Sequence, residues 1–110
     1  LFLVGAMGRC GVRVLAHPLR ALTSRKIDPA PYYDRLTALL RQYGMAMEIN
    51  FHHQSYDYEF TRRCIDGGVK LTLGSDSHNL TDFGLLQPHL KLLRDIGFDG
   101  DYRDILFDYR

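Results

Sequence analysis

The sequence predicts an α/β protein built of parallel strand–helix units. Two observations predict it. Short apolar runs alternate with amphipathic stretches in the order helix, strand, helix, strand, helix, strand, helix, strand, and such alternation argues for βαβ units and a parallel sheet. Two of the strand-like runs lead straight into residues able to do chemistry, His17 and the Asp76–His78 pair. In parallel α/β proteins, ligands and reactive groups gather on the loops leaving the strands' carboxyl ends.

Residues 2–10 read as a helix closed by Gly11, where a left-handed backbone is open to glycine, although Gly5 and Gly8 lower its propensity. Residues 12–16 are the first strand, Val-rich apart from Arg13 and so suited to cover on both faces. Residues 17–30 form a long polar connection broken by Pro18 and Pro29, and a loop of that length at a strand's carboxyl end is more often functional than idle. Pro31 opens a helix in which Tyr33, Leu36, Leu39 and Leu40 recur at helical spacing to about residue 43, and Gly44 ends it. Residues 46–50 are the second strand. Glu48 within it is unusual, because a buried carboxylate is expensive unless paired.

Residues 58–66 are helical and stop at Gly67-Gly68, and 69–73 are the third strand. Thr81 or Asp82 is placed to cap the last helix, whose apolar stripe reads Leu85, Leu86, Leu90, Leu93 and Ile96. Pro88 is tolerated only in a first turn, so the regular helix begins near Gln87 and stops at Gly97. Ile105-Leu106-Phe107 is the last strand. Four strands cannot close a barrel, so an exposed edge should pack on further structure or pair with another chain.

With 110 residues, the chain is enough for one small domain, 1–110, with one core. A net charge of +1, from 14 basic and 13 acidic residues, leaves no electrostatic footprint for nucleic acid. No apolar run approaches the ~20 residues of a membrane span, and the opening residues 1–7 lack the basic region and length of a signal peptide. The two cysteines, Cys10 and Cys64, are far apart and in no metal spacing. That argues against a disulfide framework and makes a reducing cytoplasm the expected compartment.

The chemistry centres on Leu71-Thr72-Leu73-Gly74-Ser75-Asp76-Ser77-His78, an apolar run that ends at a glycine and then presents a carboxylate and an imidazole. Gly74 is expected to adopt a backbone conformation that a Cβ would resist. Asp76 and His78 offer oxygen and nitrogen donors suited to a divalent transition metal. The first strand delivers another imidazole, His17, followed by Pro18. If both strands lie in one parallel sheet, His17, Asp76 and His78 converge. The competing role for these residues is structural, with Asp76 capping the next helix and His78 on the surface.

Three segments, Leu15-Ala16-His17-Pro18-Leu19-Arg20, Met47-Glu48-Ile49-Asn50 and Leu73-Gly74-Ser75-Asp76-Ser77-His78, resemble in order and spacing the carboxyl-terminal half of the polymerase and histidinol phosphatase (PHP) family. The resemblance covers nearly the whole chain. It implies the carboxyl-terminal half of a distorted (β/α)7 barrel, with two or three divalent metal ions (Zn, Mn or Fe) at the strands' carboxyl ends. It implies His17, Asp76 and His78 as metal ligands, with Asp76 and His78 catalytic. It also implies Arg20 as a contact to substrate phosphate, where a guanidinium fork suits paired oxygens; the alternative is a surface arginine or a pair with Glu48 or Asp28. The family's remaining ligands lie on earlier strands, so the site is expected to be completed by a missing amino-terminal half of the same domain, without which the chain is inactive.

Glu48 and Asn50 share one strand face; one can orient a metal-bound histidine, but a structural role is favoured. Of His52 and His53, at most one is expected near the site's mouth, because adjacent side chains diverge. His89 is expected at the surface, and Ser75 and Ser77 are expected to bond the loop backbone. The resulting expectation is a hydrolase acting on a small phosphorylated substrate. A nuclease or polymerase-associated domain acting on nucleic-acid ends, and a scaffold with a decayed site, are the alternatives.

Overall fold

Three parallel strands, β1 (Val14–Leu15), β2 (Ala46–Asn50) and β3 (Leu71–Gly74), form one sheet in a computed structural model of the chain. Residues 1–51 and 57–110 are described; His52 and His53, of which at most one was expected near the site's mouth, lie outside them. Sheet order follows chain order, β1-β2-β3. Val14 pairs with Ala46, and Met47, Glu48, Ile49 and Asn50 pair in turn with Leu71, Thr72, Leu73 and Gly74.

Helices occupy the connections, as parallel strands require. Helix α1 (Phe2–Arg9) precedes the sheet. Between β1 and β2 come a short α2 (Arg20–Thr23), a 3-10 turn over Ala30–Tyr32 and α3 (Tyr33–Gln42). Helix α4 (Tyr58–Asp66) joins β2 to β3, and α5 (Gln87–Asp95) follows β3. The chain is therefore a mixed α/β protein, with a three-stranded parallel sheet and five α-helices among the described residues.

The helix ends were legible because their chemistry is local. Gly11, Gly44 and Gly97 follow their helices with φ of 80°, 62° and 84°, the left-handed turn that lets orphan carbonyls be satisfied. Pro88 sits in the first turn of α5, where its missing N–H does no harm. Gly8 has a different reason to be glycine. A Cβ there would meet the Tyr43 side chain, with Tyr43 Cβ only 2.7 Å away, so α1 rests directly on the end of α3.

Several expectations need correction. The first strand is shorter than 12–16, with Ala16 exposed; among the described residues β1 has a partner on one side only. The long 17–30 connection carries helix α2. Neither Thr81 nor Asp82 caps α5; its N-cap is Leu86, without a side-chain bond, and Asn79 instead accepts the N–H groups of Thr81 and Asp82. The last strand reduces to one parallel bridge, Leu106 to Leu71, flanked by Leu71 N–H to Ile105 O at 2.7 Å and Phe107 N–H to Leu71 O at 2.8 Å.

The core lies between sheet and helices. Met47, Ile49 and Leu71 pack with Leu36, Leu40, Phe60, Cys64, Leu92 and Leu93, all buried. Both faces of β2 are covered, since Ala46 and Asn50 are buried as well as Met47 and Ile49. Among the described residues no helix is long and apolar enough to cross a membrane.

Candidate functional site

Parallel pairing sends the carboxyl ends of all three strands the same way. The His17 corner after β1 and the Asp76 corner after β3 therefore open at one end of the sheet, with the end of β2 between them. Two strand spacings, about 10 Å in all, separate β1 from β3. Both corners are held in left-handed backbone: φ is 31° at His17 and 48° at Asp76. Residues with a Cβ seldom adopt this region, and it recurs where surrounding structure imposes it at functional sites.

At the β1 corner, His17 is half-buried and its N–H donates to Glu48 Oε2 at 3.0 Å. Its carbonyl accepts the Arg20 N–H at 3.1 Å, turning the chain into α2. Leu19, buried, anchors the corner in the core. Arg20 is half-buried at the start of α2. It pairs with neither alternative partner: the Glu48 carboxylate takes His17 N–H and Asn50 Nδ2, and Asp28 takes the Ala30 N–H. Among the described residues its guanidinium has no ion pair.

At the β3 corner, Asp76 is half-buried and His78 exposed. The capping role considered for Asp76 is not realised, because α5 starts only at Gln87. Its carboxylate accepts no hydrogen bond from the described residues. His78 Nδ1 donates to the Asp76 carbonyl at 2.7 Å, which leaves the ring's lone pair on Nε2. Ser75 and Ser77 bond each other, hydroxyl to hydroxyl at 2.8 Å, rather than the loop backbone.

Two residues hold these corners in roles other than those expected from the sequence. His89, expected at the surface, is fully buried. Its Nε2–H donates to the Gly74 carbonyl at 2.9 Å, and the Phe51 ring meets it edge-on with centroids 4.7 Å apart. Nδ1 then carries the lone pair, buried and without a hydrogen-bond partner among the described residues. The missed signal is the spacing His89, Leu92, Leu93, Ile96, which are the buried residues of α5 and its end. The other is Gly74. It is absent from the glycines with positive φ, so its backbone is not what demands glycine. A Cβ there would fall on the Glu48 carboxylate, Oε1 nearest and Cδ at 2.7 Å.

A hollow of about 10 Å³ is lined by Pro18, Leu19, Met47, Glu48, Ile49, Asp57, Phe60 and Thr61, room for one water at most. Asp57 caps α4, accepting the Phe60 N–H at 2.8 Å on one oxygen and the Tyr33 hydroxyl on the other. Burial, and then that bond to Asp57, push the Tyr33 phenol well above its ordinary value.

By kind, two imidazoles and a carboxylate fit a borderline divalent cation. By position, no group of three or more His, Cys, Asp or Glu side chains among the described residues is set to hold an ion. Comparisons with protein-family models, with curated proteins and with solved structures find no match.

Proposed function

We propose that this chain carries the carboxyl-terminal strand–helix units of a PHP-type metal-dependent phosphoesterase, the later part of a distorted (β/α)7 barrel, in the cytoplasm. The observation that carries the reading is the shared end of the sheet: His17 and Asp76-x-His78 leave strands that run parallel in one sheet, each through a turn with positive φ. In this reading His17, Asp76 and His78 hold divalent metal, with the shell completed by groups from outside the described residues. When bound, such an ion supplies hydroxide near neutral pH and offsets charge on phosphoryl oxygens. Arg20, without an ion pair on the same loop as His17, receives two oxygens of a small phosphomonoester. The hydrogen bond from His78 Nδ1 to the Asp76 carbonyl presents Nε2 as the donor atom.

The test is turnover of a generic phosphomonoester by the polypeptide that carries this chain, with and without added Mn²⁺ or Zn²⁺. His17→Ala and Asp76→Asn should each remove metal-dependent turnover. Arg20→Ala should raise KM by roughly ten- to a hundredfold, the equivalent of a charged hydrogen bond of about 1.5–3 kcal/mol. Unchanged turnover in His17→Ala or Asp76→Asn would end the proposal. A second reading, a scaffold whose site has decayed, draws on the lack of three converging donors among the described residues. Metal analysis of the purified protein separates the two, because the scaffold holds no stoichiometric ion.

A further inference from the structure

The two corners need something to set their separation, and a single side chain touches both. Glu48 lies at mid-strand in β2, between them, and its carboxylate reaches toward the strand's end. Oε2 accepts the His17 N–H at 3.0 Å and the Asn50 side-chain amide at 3.4 Å. Oε1 and Cδ occupy the space where a side chain at residue 74 would begin. Gly74 is the residue that precedes Ser75-Asp76, and His89 grips its carbonyl at 2.9 Å. A carboxylate among apolar strand neighbours is unfavourable unless hydrogen-bonded, and here one bond comes from the His17 backbone and the other from the Asn50 side chain.

We infer that Glu48 is the positioning residue of the site proposed above: its carboxylate is the post between the His17 and Asp76 corners, and residue 74 is glycine to admit it. For the site's function this rests on the phosphoesterase reading. The coupling between Glu48, His17 and Gly74 does not, so the two can fail separately.

The experiment is a double-mutant cycle over Glu48→Ala and Gly74→Ala, with Glu48→Gln as the conservative variant. The first readout is amide hydrogen exchange at His17, which reports the bond to Glu48 and nothing about metal. Glu48→Ala should speed that exchange about tenfold or more, the loss of one charge-assisted bond, while Glu48→Gln keeps an acceptor and restores most of the protection. Gly74→Ala should disturb His17 strongly when Glu48 is present and little when Glu48 is already alanine. A Gly74→Ala protein that folds only in the Glu48→Ala background makes the same point. Equal effects in both backgrounds, failure to fold in both, or unaltered His17 exchange in Glu48→Ala would overturn the inference. The second readout is Mn²⁺ affinity, expected to fall about 10- to 100-fold in Glu48→Ala and to recover in Glu48→Gln, as for a group that orients a ligand from behind. Affinity unmoved by Glu48→Ala would also overturn it. A parent protein that binds no Mn²⁺ would remove the phosphoesterase reading, with the post still judged on the His17 amide.

Discussion

Among the described residues, a wide groove and two strained backbone corners lie in different places. Between α3 and α4 runs a groove of about 720 Å³, lined by Asp34, Thr37, Ala38, Arg41, Gln42, Arg63, Asp66 and Gly67. Its walls are helix surface, and its charges mostly pair with near neighbours, Arg63 with Glu59 and Asp34, Asp66 with Arg62. At the carboxyl end of the sheet, the hollow lined by Pro18, Leu19, Glu48 and Asp57 among the described residues is only about 10 Å³. Yet the sheet's carboxyl end holds two of the three non-glycine residues with positive φ among the described residues, a carboxylate wedged against a glycine and a fully buried histidine. Volume marks where helices splay apart; strain and buried polar atoms mark where the chain is held to a geometry it would not choose. If that contrast is sound, perturbing the sheet's end should cost far more than perturbing the groove.

His89→Ala should show the largest effect. It empties a fully buried ring site and leaves the Gly74 carbonyl without its donor. Cavity and unpaired acceptor together should lower unfolding free energy by about 3 kcal/mol, read from urea denaturation. His89→Phe fills the volume without the N–H and should recover part of that loss. A His89→Ala protein within experimental scatter of the parent would mean that the β3 corner is not braced from below, and the contrast would collapse.

His89 also shows where sequence reading runs short. Helix limits, the parallel order of strands and the placing of His17, Asp76 and His78 at strand ends follow from local rules: glycine after a helix, proline in its first turn, period-2 runs between periodic stretches. Those rules see one element at a time. Leu93 and Ile96 of the expected α5 stripe are buried, but Leu85 is 46% exposed and the inward place at the helix start belongs to His89, which any apolar count ranks below leucine. The Glu48 carboxylate was conspicuous, but its partners lie 31 and 26 residues away in sequence, at His17 and Gly74. No spacing rule connects them. Gly74 was legible as a special residue and misread as a backbone requirement, since sequence does not distinguish a glycine needed for φ from one needed for room.

A second way to sharpen the contrast is to ask whether the groove reaches the core. Cys64 is fully buried in α4, close to Thr37 on the groove wall. Burial pushes its thiol up to about 12 from an ordinary 9.0, with the Thr37 hydroxyl pulling slightly the other way. In the folded protein the thiol thus stays protonated at a pH where the unfolded chain ionises. The resulting stability is fully present below about pH 9 and is lost as pH rises toward 12, with a slope of at most about 1.4 kcal/mol per pH unit. Tyr33, raised mainly by burial, bends stability in the same direction above pH 10. Unfolding free energy followed from pH 8 to 10.5 should therefore fall, and Cys64→Ala should flatten the first part of the fall. Iodoacetamide at pH 8 should label exposed Cys10 and spare Cys64 until the chain unfolds. Rapid labelling of native Cys64 would show that the groove opens into the core.

The smallest effect is expected in the groove itself. The Arg63 guanidinium bonds Glu59 one turn back at 2.9 Å, bonds Asp34 on α3 and lies 5.7 Å from the centre of the Tyr33 ring. That is a full set of partners, but the side chain is 41% exposed and its two carboxylates are 60% and 85% exposed. Water and salt screen such pairs, and holding long side chains still offsets what attraction remains. Arg63→Ala should shift the urea midpoint by no more than the scatter between repeats at physiological salt, and leave phosphomonoester turnover as it is in the parent. The second readout is the sharper one. Were the groove a substrate site, Arg63 would be the guanidinium fork that α4 offers a phosphate there, and turnover would fall with stability unchanged. Retained turnover in Arg63→Ala beside lost turnover in Asp76→Asn would assign the chemistry to the end of the sheet, where the strained corners are, and leave the larger hollow as the seam between two helices.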